Sequence, residues 1–121
     1  MAVTNYTELL VWQKAMDLTT KIYRITKRLP KEELYALSNQ MRKAAVSIPS
    51  NIAEGQSRQS TKEFLNFLSI ARGSKAELET QLRICVQVGY LASTDISAAM
   101  QMAEEVGKML NALMKTLNTA H

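Results

Sequence analysis

A proline stands inside a segment that otherwise reads as one continuous helix, and this feature most limits what the chain can form. The stretch runs Ala44-Ala45-Val46-Ser47-Ile48-Pro49-Ser50-Asn51-Ile52-Ala53-Glu54-Gly55. Proline has no N–H to donate, and its ring crowds the carbonyl four residues back, at a cost of about 3 kcal/mol in a helix interior. Such a helix is expected to be packed on more than one side. Unrolled as a helix, Leu37, Met41, Ala44, Ala45, Ile48 and Ile52 form a core stripe. Val46, Pro49 and Ala53 widen the apolar arc to about half the circumference, more than a surface helix needs. Gln40, Lys43, Ser47, Asn51, Glu54 and Arg58 lie opposite.

The periodicity places this helix second of four, at about residues 7–28, 34–56, 61–88 and 94–117. In helix 1, Val11, Ala15, Leu18, Ile22, Ile25 and Leu29 keep the spacing of one buried face, with Trp12 on an adjoining stripe. Thr7 or Asn5 is placed to cap it. The residue before Pro30 is driven out of the helical region, which ends helix 1. Ser60-Thr61-Lys62-Glu63 matches a capping box and starts helix 3. Its core stripe is Phe64, Phe67, Leu68, Ala71, Leu78, Leu82 and Cys85, with Arg72, Glu79 and Arg83 on a solvated face. A third face combines Ile70, Ser74, Glu77, Gln81, Ile84 and Val88, a mixture suited to another helix or subunit. Ser93 or Thr94 caps helix 4, whose apolar positions include Ile96, Met100, Ala103, Leu110 and Leu113. Four long helices with short connections predict an all-α, antiparallel up-down-up-down four-helix bundle in a single domain, residues 1–121.

Arg42 falls within the wide arc of helix 2. Either its stem lies on apolar surface with its head in water, or it joins a partly buried ion pair, since a buried charge is tolerated only when paired. With helices 2 and 3 antiparallel, Glu77 is the expected partner.

Composition narrows the function classes. The one cysteine, Cys85, excludes an intramolecular disulfide and sits among apolar residues, as an ordinary small buried side chain does. The one histidine is His121, at the C-terminus, so a Cys–His nucleophile and a zinc site are not expected. No phosphate-cradling Gly-rich loop or GxSxG elbow occurs. We therefore expect no enzyme, no catalytic residues, no metal and no cofactor. No apolar run long enough to span a membrane and no signal-peptide pattern is seen, so the expected setting is cytoplasmic, without a membrane partner.

The net charge of +4 is unevenly spread. Residues 1–62 hold ten Lys/Arg against five Asp/Glu, and residues 63–121 hold five against six. Lys21, Arg24, Lys27, Arg28 and Lys31 crowd the end of helix 1. Cations there complement the helix dipole and solubilise the face; equally, clustered Lys and Arg contact phosphates. Aromatic interleaving is scant, so nucleic-acid binding at this patch would be directed at the backbone.

The run Ser47-Ile48-Pro49-Ser50-Asn51-Ile52-Ala53-Glu54-Gly55, with Phe64-Leu65-Asn66-Phe67-Leu68, Ala71-Arg72-Gly73-Ser74 and Glu77-Leu78, resembles the four-helix bundle proteins encoded in intervening sequences of bacterial 23S ribosomal RNA genes. Leu10-Val11-Trp12-Gln13-Lys14-Ala15-Met16 and Gly89-Tyr90-Leu91 are also similar to that family, and the likeness spans about residues 8–115. The resemblance implies an antiparallel bundle that assembles as a homopentamer with a central opening. In fold this family is similar to the accessory variability proteins of diversity-generating retroelements, pentameric barrels that bind a reverse transcriptase and nucleic acid. Arg42, Ser47, Pro49, Asn51, Glu54, Gly55, Ser74 and Glu77 are singled out as family-motif, structural or interface positions. The leading expectation is a non-enzymatic homo-oligomer binding RNA or DNA through phosphates. The alternatives are a protein–protein adaptor for a nucleic-acid-processing enzyme and a structural oligomer without a nucleic-acid role.

Overall fold

The computed structural model describes residues 5–119. They form four helices: α1 (Leu10–Thr26), α2 (Leu37–Gln56), α3 (Thr61–Gln87) and α4 (Ser93–Thr119). Single 3-10 turns at Tyr6–Glu8 and Lys31–Glu33 precede α1 and α2. Each helix packs on the next, α1 closes on α4, and no close backbone approach crosses the diagonals among the described residues. Side-chain pairs give the directions. Thr19 meets Ala45 and Thr26 meets Arg42, so α1 and α2 are antiparallel. Ser47 meets Ser74 and Gly55 meets Phe67 across α2 and α3. Arg72 meets Asn111 and Lys75 lies over Gly107 across α3 and α4. Lys14 meets Glu105 and Arg28 meets Asp95 across α1 and α4. The architecture is an all-α antiparallel bundle running up, down, up and down.

The core follows the periodicity. All six stripe residues expected for helix 1 are buried. Met41, Ala44, Ala45, Ile48 and Ile52 of α2 are buried, with Leu37 half-buried at the end. In α3, Leu68, Ala71, Leu78, Leu82 and Cys85 are buried, while Phe64 and Phe67 stay half-exposed at the rim. Burying such side chains stabilises by about 1.5–3 kcal/mol each for the larger ones.

The starts of three helices differ from expectation. Asn5 accepts from the Thr7 N–H at 2.9 Å, but it caps the 3-10 turn, and α1 begins only at Leu10. Helix 2 starts at Leu37 rather than 34. Its N-cap position, Ala36, has no capping side chain, and Glu33 accepts from the Leu37 N–H at 3.2 Å instead. The other Glu33 oxygen accepts from the Tyr90 hydroxyl at 2.7 Å, so the turn after α3 holds the cap of α2 in place. Ser60 caps α3 as expected, its Oγ accepting from the Glu63 N–H at 3.1 Å. Gly89 turns the chain at φ +87°, a conformation L side chains avoid, and lets the Tyr90 and Leu91 N–H groups close on the Cys85 carbonyl. Ser93 and Thr94 lie inside α4 rather than capping it; Asp95 accepts from the Ala92 N–H at 2.7 Å. His121 lies outside the described residues.

Candidate functional site: the two flanks of helix α2

Pro49 is buried in the interior of α2, and the helix continues through it. The carbonyl it deprives of a helical partner is that of Ala45, four residues back. Thr19 on α1 donates its hydroxyl to that oxygen at 3.1 Å and shares the same proton with the Ala15 carbonyl at 2.8 Å. On this α1 flank, Trp12, Met16, Thr19, Val46, Pro49 and Ala53 line an apolar groove of about 340 Å³, with Tyr6 stacked edge-on to Trp12 at 5.3 Å.

The α3 flank is polar. The Ser47 and Ser74 hydroxyls share a hydrogen bond of 2.8 Å, and Asn51 donates to both the carbonyl and the hydroxyl of Ser47 at 2.7 and 2.9 Å. This chain ties the two helices at mid-height. Below it, a Cβ on Gly55 would stand 2.7 Å from the Phe67 Cβ and 2.9 Å from Phe64 Cδ1, so only glycine lets α2 and α3 approach there. Gly55 is thus a close-packing point between the two helices. Glu54 pairs with Arg58 at 2.6 Å on the surface, and Arg58 also lies over the Phe67 ring at 5.0 Å. Above the serine pair, Tyr35, Gln40, Lys43, Ser74 and Glu77 line a notch of about 280 Å³.

Arg42 does not pair with Glu77, which corrects the expected ion pair. Its Nε donates to Thr26 Oγ1 at 2.9 Å and its guanidinium lies over the Tyr23 ring at 5.3 Å, both on α1. Thr26 in turn donates to the Tyr23 carbonyl. Arg42 and Glu77 therefore sit on opposite flanks of α2. The residue spacing is right for the same height on the bundle, but the helix turns Arg42 toward α1.

The basic cluster is divided. Lys14, Lys21 and Arg28 recur every seven residues and share one stripe; Lys14 and Arg28 pair across α4 with Glu105 at 3.4 Å and Asp95 at 3.0 Å. Arg28 is thus engaged within the chain. Its guanidinium and the Ala92 N–H both hold the Asp95 carboxyl below its ordinary pKa, the backbone bond being the larger cause. Arg24, Lys27 and Lys31 are exposed and form no ion pair among the described residues. On α3, Arg72 bonds Asn111 and Glu79 pairs with Lys75 at 3.2 Å, so the face expected to be solvated is partly a rim against α4.

Cys85 is buried against Met41, with its Sγ 3.6 Å from the Met41 Sδ, and burial pushes its thiol pKa up. That is the reverse of an activated nucleophile. Among the described residues no three His, Cys, Asp or Glu side chains stand together as a metal site, and no helix is long and apolar enough to cross a membrane. Sequence reasoning missed Tyr35, which stands 89% exposed in the turn before α2. An aromatic beside Leu34, in a segment assigned to helix, carried the signal.

Comparisons with known proteins agree with this architecture. The model of the 23S rRNA-intervening sequence protein family matches residues 7–112. The chain is similar, at 26% identity and a TM-score of 0.81, to a crystal structure at 1.70 Å resolution of a protein of unknown function from the S23 ribosomal protein family of Bacteroides thetaiotaomicron. The match covers 88% of this chain and 96% of that one. Among curated proteins none matches.

Proposed function

The chain belongs to the 23S rRNA-intervening sequence protein family, and from that premise we propose that it is a non-enzymatic homo-oligomer, a pentameric ring, that holds RNA or DNA through phosphate contacts. The observation that carries this reading is the open cluster of Arg24, Lys27 and Lys31, with Lys21 beside it, in the half of the chain that holds ten of its fifteen Lys/Arg. Clustered cations bind phosphates by releasing condensed counterions, and the affinity depends on how many act together. Five copies at +4 each carry a charge of about +20, which concentrates an anionic partner far more than one copy does.

The test is size exclusion with light scattering, at low and high salt, with absorbance recorded at 260 and 280 nm, followed by titration of a single-stranded RNA. The expected result is a mass near five chains, with bound nucleic acid released by salt. Reversing Arg24, Lys27 and Lys31 together to Glu should weaken RNA binding steeply and leave the helical circular dichroism unchanged. A ring that is clean of nucleic acid and indifferent to RNA would move the basic surface to an acidic protein partner. A monomer would remove the ring.

A further inference from the structure

With Leu10 and Leu34 as the exceptions, the exposed large apolar side chains lie on the two sides of the bundle that meet at α2. Met16, Tyr23 and Val46 are on the α1/α2 side; Ile70, Ile84 and Val88 are on the α3 flank. Helix α4 contributes none among the described residues. The sides that include α4 are instead laced by polar pairs, Arg72 with Asn111, Lys14 with Glu105 and Arg28 with Asp95. The two apolar sides are unlike each other, so a contact between them is head-to-tail, and such contacts close a ring when the rotation between copies permits. Consecutive sides of a four-helix square face about 90° apart, near the angle of about 108° that a five-membered ring needs and of about 90° for four.

Closure by rotation alone requires that groups meeting across the contact stand at the same height on the bundle. The two flanks satisfy this. Ser47 with Ser74 and Gly55 with Phe67 set the register of α3 on α2, which puts Ile70 level with Asn51, between Pro49 and Ala53 of the α1-flank groove. Glu77 lines its notch beside Ala44, about 3 Å along the axis from the level of Arg42. The charges are complementary. Only the Nε of the Arg42 guanidinium is committed to a hydrogen bond, and Glu77 has no ion pair among the described residues, although Lys43 lines the same notch. Between Ile70 and Glu77 lies Gly73, in mid-helix. A Cβ there would meet nothing within 4 Å, so nothing inside the chain asks for glycine, which costs about 1 kcal/mol relative to Ala in a helix.

We propose that a second copy of this chain covers the α1/α2 side: Ile70 of one copy enters the groove beside Pro49 of the next, Glu77 pairs with the next copy's Arg42, and Gly73 lets the two surfaces close. This rests on the ring reading above and names its contact. It turns the corner helix α2 toward the ring axis, with Lys43 and Ser50 on the exposed side of that helix.

The test is the mass by light scattering of Glu77→Arg, Arg42→Glu and the charge-swapped double variant, each checked for helical circular dichroism. Glu77→Arg is expected to fall from the ring mass to that of a single chain while staying helical, and the double variant to recover the ring. Arg42→Glu also breaks the Thr26 bond inside the chain; where it does not fold, Glu77→Arg and Ile70→Asp, both at exposed positions, carry the test. A wild-type ring whose mass neither of these changes would overturn the proposed contact and leave the ring standing. A wild-type chain that is monomeric at all concentrations would overturn the ring reading itself, and the contact with it.

Discussion

Thr19 on α1 donates its hydroxyl to the carbonyl of Ala45 on α2, the group that Pro49 leaves without its helical N–H. The proline is thus accommodated from outside its own helix. Ala45 is fully buried, so water cannot take the place of the hydroxyl at its carbonyl.

Thr19→Val keeps the shape and removes the donor. It should destabilise the bundle by about 1 kcal/mol or more, the cost of an unsatisfied buried acceptor. In a Pro49→Ala background the backbone N–H restored at that position serves the same carbonyl, and the cost of Thr19→Val should shrink toward zero. A double-mutant cycle by urea denaturation measures the coupling; equal costs in both backgrounds would contradict this account.

Gly55→Ala places a Cβ against the Phe67 Cβ and the Phe64 carbonyl, neither of which can move without shifting α3. The expected loss is about 1–3 kcal/mol. Gly107→Ala meets only the end of the Lys75 side chain, Nζ at 2.9 Å and Cε at 3.1 Å. That chain can swing aside, so its melting temperature should stay close to that of the wild type while the Gly55 variant melts well below it.

The Asp95 carboxyl is held below its ordinary pKa by the Ala92 N–H and by Arg28. In the unfolded chain it titrates near about 3.9. Between the two values the unfolded state binds the extra proton, so stability rises with pH there. The contribution is complete above the unfolded value and is lost as pH falls through the folded one. Asp95→Asn should therefore be less stable than wild type at pH 7, and the gap between their denaturation midpoints should close on acidification toward pH 2. A gap that persists unchanged in acid would show that charge is not its origin.

Removing single cations should sort the phosphate contacts from the structural pairs. Arg24→Ala and Lys27→Ala are each expected to lower the slope of log affinity for RNA against log salt, by about 0.7 for every copy in the ring whose cation contacts the strand. Lys75→Ala, whose ammonium is paired with Glu79 and packed on Gly107, should leave the slope unchanged.

Sequence alone determined the elements and their inward faces. The seven-residue spacing from Val11 to Leu18 and Ile25, the capping box at Ser60 and the break before Pro30 are local signals, and local signals decide where a helix runs and which stripe is buried. The Ser47-to-Glu77 motif was equally legible as a special region. Tertiary structure decided what each special residue does there. Glu33 caps α2 because Tyr90 holds it, Thr19 serves the Ala45 carbonyl from another helix, and Arg42 turns to Tyr23 and Thr26 rather than to Glu77. These outcomes depend on how helices are rotated about their own axes and on which helix stands beside which. A rotation of a fraction of a turn moves a side chain from one neighbour to the next while leaving the hydrophobic period unchanged, so periodicity marks the buried stripe but not the partner of a residue at its edge.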